Sequence, residues 1–259
     1  MAMAYADPYP ASDAVVHLLG NPSVMQDGRL YLVPEGCKRL LAFVALQRGR
    51  VDRRHAAGSL WPDGTDNRAS GNLRSALWRL RGAGIVVLES DKCSIFLRDR
   101  TTTDLDTLCE WADRLIDGTA SEADLHVPEW TSSVAELLPG WYDEWVIFER
   151  ERIRQRMLHA LEVLSRSLRT AGRYGEAIDA AMDAVAVEPL RESAHRVLVE
   201  AHVAEGNFIE ARRSYVRYRD IARRELGVEP SAAFRAWAAS LTLGAELQGN
   251  PQCARRGLG

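Results

Sequence analysis

The apolar positions change rhythm along the chain. Ala14–Gly20, Ser23–Gln26 and Leu30–Val33 are short apolar or alternating runs, separated by Asn21-Pro22 and Asp27-Gly28. Short runs bounded by turn residues read as strands, and Asp-Gly between two of them reads as a tight hairpin. A small antiparallel sheet of three or four strands is expected. From Cys37 the period becomes helical, with Leu40, Leu41, Val44 and Ala45 on one face and Gly49 at the end, which predicts a helix over Cys37–Arg48. Asp52 is placed to cap a short helix, Arg53–Trp61, stopped by Pro62-Asp63-Gly64. Asp66 or Asn67 is expected to cap a third helix ending at Gly82. Ile85–Leu88 and Ser94–Leu97, on either side of Glu89–Cys93, form a second hairpin.

The second half keeps the helical period. Thr103-Asp104 opens a segment, Leu105–Ile116, with Leu105, Leu108, Ala112 and Leu115 on one stripe. Ser121–Leu138 is polar and irregular, and reads as a loop with one helical turn at most. From Trp141 to Thr170 there is neither Pro nor Gly, so one helix of roughly 45 Å is expected. Gly172-Arg173-Tyr174-Gly175-Glu176-Ala177 then recurs, 34 residues on, as Gly206-Asn207-Phe208-Ile209-Glu210-Ala211. That offset is the period of tetratricopeptide helix pairs. Ala160, Leu164 and Leu168 align with Ala194, Leu198 and His202 at the same offset. Each pair leaves an apolar face that only a neighbour can cover, so residues 141–245 are expected to stack into one helical block. The reading divides the chain into 14–100, 101–245 and a disordered tail, 246–259.

The third helix carries the most pointed chemistry. Leu73, Ala76, Leu77 and Leu80 fall on one side of it, and Asn72, Arg74, Ser75, Trp78 and Arg79 on the other, with Arg68 a turn earlier. Guanidinium forks match guanine O6/N7 and an amide matches adenine N6/N7, so such a face suits a DNA major groove; a solvated Arg-rich surface helix is the plainer reading. With strands, three helices and a hairpin in that order, the third helix is the recognition helix and the hairpin the wing of a winged helix-turn-helix. Arg53 and Arg54, at the start of the second helix, either clamp a phosphate beside free N–H groups or are simply solvated. Trp78 either packs on the wing or touches DNA. Lys92, at the hairpin tip, is a candidate for a wing–phosphate contact.

Charge distribution favours the same module. Net charge is −3 overall, yet residues 29–100 hold fourteen Lys/Arg against seven Asp/Glu, and residues 101–259 hold nineteen against twenty-six. A basic module joined to an acidic one is expected when one part meets phosphate. The four cysteines, Cys37, Cys93, Cys109 and Cys253, have no metal-ligand spacing and read as reduced thiols. No stretch is apolar enough to span a bilayer, the first residues lack a secretory pattern, and a cytoplasmic protein is expected. Phosphate-loop, dinucleotide, zinc-hydrolase and serine-hydrolase motifs are absent, and His195 and His202 lack the spacing of a zinc helix. Neither an enzyme nor a cofactor is expected.

Lys38-Arg39-Leu40-Leu41, Leu60-Trp61-Pro62-Asp63 and the run from Asn72 to Arg81 resemble the Streptomyces antibiotic regulatory protein family. Glu188-Pro189-Leu190-Arg191-Glu192, Tyr215-Val216-Arg217-Tyr218-Arg219 and Arg224-Glu225-Leu226-Gly227-Val228-Glu229-Pro230-Ser231 resemble the bacterial transcriptional activator domain that follows the winged helix in that family. The resemblance covers residues 15–243 and is to the family's small members. It implies an α+β winged helix-turn-helix of the response-regulator output type, followed by an all-α tetratricopeptide-like domain. It further implies an activator that binds direct repeats in double-stranded DNA as a homodimer or side-by-side pair. Such an activator recruits RNA polymerase through the sigma factor and alpha subunit, typically at antibiotic gene clusters. In the hairpin, Cys93-Ser94 replaces the Gly-Tyr of the family pattern. A signalling adaptor, whose helical repeat binds a peptide or small molecule without reading DNA sequence, is the competing class.

Overall fold

The computed structural model describes residues 14–128 and 136–248. Of the tail expected over 246–259, residues 246–248 belong to the last helix; the rest of it and the first thirteen residues lie outside the described part. The described residues form two compact units, one within residues 1–110 and 135–153, the other within 111–134 and 154–259. The sequence reading divided the chain once, after residue 100; the observed units interleave, the first taking back residues 135–153.

In the first unit, β1 (Ala14–His17), β2 (Ser23–Gln26) and β3 (Arg29–Leu32) form an antiparallel meander. Asp27 and Gly28 both have positive φ, 50° and 70°, as a primed two-residue hairpin turn requires. The fourth strand corrects the expected all-antiparallel sheet. It is β7 (Thr101–Thr103), from beyond the second hairpin, and it pairs parallel with β1, giving the order β3-β2-β1-β7. Its three threonines carry no alternation for a sequence reading to find. Asp104, immediately after β7, secures this junction: its buried carboxylate accepts from the backbone N–H of Leu18 and of Leu19, at 2.9 Å in each case.

Helices α1 (Glu35–Leu46), α2 (Arg53–Leu60) and α3 (Asp66–Gly82) follow, with a second sheet of order β4-β6-β5. This sheet comprises β4 (Val51–Asp52), β5 (Leu88–Ser90) and β6 (Ser94–Leu97). The two-residue β4 is too short to show a period, and β5 starts later than expected because Ile85 and Val87 are buried in the connection before it. At the end of α1 the left-handed residue is Arg48 (φ 49°), one position before the predicted Gly49. Asp52 caps α2 as predicted, whereas α3 starts from Thr65 without a side-chain cap, Asp66 being its first residue. Cys37 Sγ donates to the Ala76 carbonyl at 3.4 Å and Arg39 Nη1 to the Leu60 carbonyl at 3.0 Å, tying α1 to both later helices. The returning segment 136–153 packs here too: Trp145 meets Phe43 edge-on at 5.2 Å, Leu137 bridges to Leu19, and Arg39 pairs with Asp143.

The second unit is helical. It contains the end of α4 (Asp104–Ile116), a single 3-10 turn at Glu122–Asp124, and most of α5 (Glu144–Thr170). Then come α6 (Tyr174–Val187), α7 (Glu192–Glu205), α8 (Phe208–Leu226) and α9 (Ala232–Gln248). The 34-residue repeat is visible in the backbone bonding. Gly172 and Gly206 are both left-handed, with φ of 77° and 86°. Arg173 N–H donates to the Leu168 carbonyl and Asn207 N–H to the His202 carbonyl, both at 2.9 Å. These are corresponding bonds of a Schellman closure, the geometry that lets a helix end on glycine and reverse. Ala177 and Ala211 are equally buried at the packing faces. Tyr174, the aromatic residue of the first copy, remains 37% exposed. Arg114 clamps Asp124 with two donors and, with Ser121, holds its carboxyl down to about 2. His195 is a core histidine: its Nε2 donates to the Pro189 carbonyl at 2.9 Å and its ring lies 4.6 Å from that of Tyr218.

Two outcomes follow. Asp104→Ala strands the buried N–H of Leu18 and the partly buried N–H of Leu19, and is expected to lower unfolding free energy in urea by about 3 kcal/mol, with Asp104→Asn recovering part of it. Burial, with Arg217 nearby, pushes the His195 pKa below its ordinary 6.5. The unfolded chain therefore takes up this proton at higher pH than the folded one. The stability that the neutral ring contributes is complete above about 6.5 and drains away as pH falls through the depressed folded value. His195→Gln should flatten that part of the stability–pH curve measured by thermal melts.

Candidate nucleic-acid interface

The helix-turn-helix is formed by α2, the turn 61–65 and α3. Pro62 and Gly64 prevent α2 from continuing, and α3 restarts with its apolar stripe down. Ala69, Leu73, Ala76, Leu77 and Leu80 are all at most 8% exposed. With that stripe buried, the opposite side of α3 has nowhere to go but outward. At roughly 100° per residue, Gly71, Ser75 and Trp78 form its outermost line. Arg74 and Arg81 flank the line on one side, and Arg68 and Arg79 on the other.

Arg68, Arg74, Ser75, Trp78 and Arg79 are exposed, as the sequence pattern required. Trp78 is 76% exposed, so it does not pack on the wing. Asn72 differs: it sits at the edge of the stripe and is half-buried. Arg81 was not among the candidates, although its seven-residue spacing from Arg74 puts it on the same flank. Among the described residues, none of these four arginines has a carboxylate within 4 Å. Arg79 reaches back toward the start of α1, where a Cβ on Gly36 would stand 2.8 Å from its Nη1. Arg74 lies across Gly71, its Nη2 3.9 Å from where a Cβ would be. Gly36 thus leaves room for the Arg79 guanidinium, which a Cβ there would push aside, whereas a Cβ at Gly71 would only touch Arg74.

At the start of α2 the backbone N–H groups expected to be free are engaged. Asp52 Oδ1 accepts from Arg54 N–H at 2.8 Å and His55 N–H at 3.0 Å, and Arg53 N–H donates to the Cys93 carbonyl at 2.8 Å. The helix end thus offers no free N–H at those three residues. The Arg53 guanidinium is half-buried and lies 3.4 Å from the Asp91 carbonyl, whereas Arg54 is exposed. At the wing tip, Asp91 Oδ1 accepts from Cys93 N–H (2.8 Å) and Ser94 N–H (2.7 Å), which holds its carboxyl below the usual range. This turn presents Lys92 to solvent. Arg50, also absent from the candidates, pairs with Asp91 and lies 3.9 Å above the Phe96 ring, bracing the wing against its base.

The surface therefore brings together a row of guanidiniums with no ion-pair partner among the described residues, an exposed indole and a braced hairpin tip that presents Lys92. The described residues hold no group of three or more His, Cys, Asp or Glu able to bind a metal. No helix of the described chain is long and apolar enough to cross a membrane.

Comparison with known proteins places this architecture. Among solved structures, the chain is similar to Mycobacterium tuberculosis EmbR in complex with a low-affinity phosphopeptide, with a TM-score of 0.70 at 18% identity. The match covers 90% of this chain and 66% of that one, so the chain spans just under two thirds of the EmbR chain's length. At this identity the likeness is one of fold. No curated protein matches the sequence. The family model of the bacterial transcriptional activator domain matches residues 111–242, just over half of the chain. With an α+β unit carrying a helix-turn-helix ahead of that helical domain, the chain belongs to the bacterial transcriptional activator domain family.

Proposed function

We propose that this chain is a sequence-specific DNA-binding activator that reads direct repeats near promoters. Residues 14–100 make the DNA contact, and the helical residues 101–245 act in activation. The observation that carries the reading is the outer face of α3, where Arg68, Arg74 and Arg79 stand exposed around Trp78 with no ion-pair partner among the described residues. Guanidiniums that no carboxylate neutralises are free to meet phosphate oxygens or guanine edges. Exposed indole is uncommon unless a surface covers it, and sugar edges or thymine methyl groups provide one. Lys92 at the wing tip and Arg54 on α2 add phosphate contacts on either side. Two copies side by side on a direct repeat, recruitment of RNA polymerase through the sigma factor and alpha subunit, a cytoplasmic location and a secondary-metabolite gene cluster as target all accord with the family.

In vitro selection from random duplex, followed by footprinting, is expected to return a repeated motif. At that motif Arg74→Ala or Arg79→Ala should cost about 1–3 kcal/mol and relax preference at one or two base positions. Arg54→Ala should weaken all sequences alike and lower the slope of log affinity against log salt by about 0.9. Equal affinity for selected and random duplex would sink the proposal. Trp78→Ala is expected to weaken DNA binding while unfolding free energy stays within about 0.5 kcal/mol of wild type, since the side chain supports no core.

A further inference from the structure

The helical unit contains a cleft to which DNA reading gives no task. It lies between α8 and α9, has a volume of about 820 Å³, and its lining includes Ile209, Arg212, Tyr215, Val216, Arg219 and Arg235. At roughly 100° per residue, Ile209, Arg212, Val216 and Arg219 share one face of α8. The apolar part of the lining is firm. Tyr215 meets Phe234 edge-on at 5.1 Å, Val216 is half-buried beside it, and Ile209 at one end is 68% exposed.

Charge sets this cleft apart from its surroundings. Residues 101–259 carry an acidic excess, yet α8 alone holds six arginines against three acidic residues. Four of those arginines have a carboxylate at hand: Arg213 with Glu210, Arg219 with Asp220, Arg223 with Glu229 and Arg224 with Glu225. Arg212, midway along the cleft, is exposed and has no carboxylate within 4 Å among the described residues. Arg235, on the α9 side of the cleft, is oriented by the Pro230 carbonyl at 2.7 Å, and the carboxylate that feels its charge, Glu229, is ion-paired to Arg223. An occupant must therefore bring negative charge to Arg212 and Arg235 and apolar side chains to Ile209, Tyr215 and Val216. A sugar–phosphate backbone meets the first demand and not the second. The lining spans Phe208 to Arg219 along α8, about three helical turns, the footprint of a short helix laid in a groove.

We propose that the α8–α9 cleft docks an acidic amphipathic helix of a partner protein, its apolar side chains on Ile209, Tyr215 and Val216 and its carboxylates on Arg212 and Arg235. The site is separate from the α3 surface, so its test needs no DNA.

The test uses the full chain and a fluorescein-labelled synthetic helical peptide, about four turns long, with leucine at i, i+3, i+4 and i+7 and glutamate elsewhere. Fluorescence anisotropy is expected to show binding roughly tenfold tighter than for two controls, one with serine replacing leucine and one with lysine replacing glutamate. Added salt should loosen it. Arg212→Glu and Ile209→Glu should each weaken it about fivefold or more, while both variants melt at the wild-type temperature because both side chains are exposed. Equal binding of all three peptides, or indifference to both substitutions, would overturn the proposal. So would two other results in the absence of peptide binding. One is random duplex held in a way that Arg212→Glu abolishes, which assigns the cleft to phosphate. The other is self-association that Arg212→Glu abolishes, which assigns it to a second copy.

Discussion

The burial of one apolar stripe on α3 orders everything that faces outward in the first unit. Three leucines and two alanines lie against α1 and α2, and burying the leucines alone contributes on the order of 5 kcal/mol. Turning the helix by half a turn would expose them and press guanidinium groups into an apolar core, which is far more costly. The helix therefore has one stable rotation. Arg68, Arg74, Arg79 and Arg81 are displayed as a consequence of where Leu73, Leu77 and Leu80 must go. A binding surface set by the core in this way is rigid before any ligand arrives, which is what recognition of fixed base edges requires.

Arginine does two different jobs in this protein, and its neighbours decide which. In the helical unit Arg114 clamps Asp124, Arg156 pairs with Asp113, and Arg191 joins Glu162, Ser193 and Gln155 in a partly buried network. There the guanidinium fork binds segments together through several donors at once. On α3 the same side chain has no acidic neighbour among the described residues, so its charge remains available. Counting arginines along the sequence cannot separate these uses, because the partners lie tens of residues away; Arg191 and Glu162 are 29 apart.

The helical unit rests on repeated helix reversals. Gly172 and Gly206 close their helices with corresponding hydrogen bonds, and Ala177 and Ala211 allow the next helices to approach. This repeat was legible because its demands are local: a residue free to adopt positive φ, and a small one four or five positions later. In the core of this unit the His195 ring reaches the Pro189 carbonyl, six residues back, through Nε2 and lies against the Tyr218 ring. The family match covers this same region.

Elements whose signal lies within one helical turn or one hairpin could be read directly from the residues. The α3 stripe, the Asp27-Gly28 turn, the Asp52 cap and the 34-residue repeat are of this kind, and with them came the exposure of Arg68, Arg74, Ser75, Trp78 and Arg79. What escaped depends on chain segments far apart. Strand β7 exists because β1 offers it an edge, and the two-residue β4 exists because β6 does. Asp104 is a structural anchor because Leu18 and Leu19, more than eighty residues earlier, present their N–H groups to it. The N–H groups at the start of α2 are engaged because Asp52 and the wing carbonyl of Cys93 reach them. The unneutralised cleft beside Arg212 likewise appears only when α8 and α9 are set together. Sequence by itself determined periodicity, caps and turns, since these act within a few residues. Tertiary structure decided which backbone edges and which charges find partners, since that depends on distance in space.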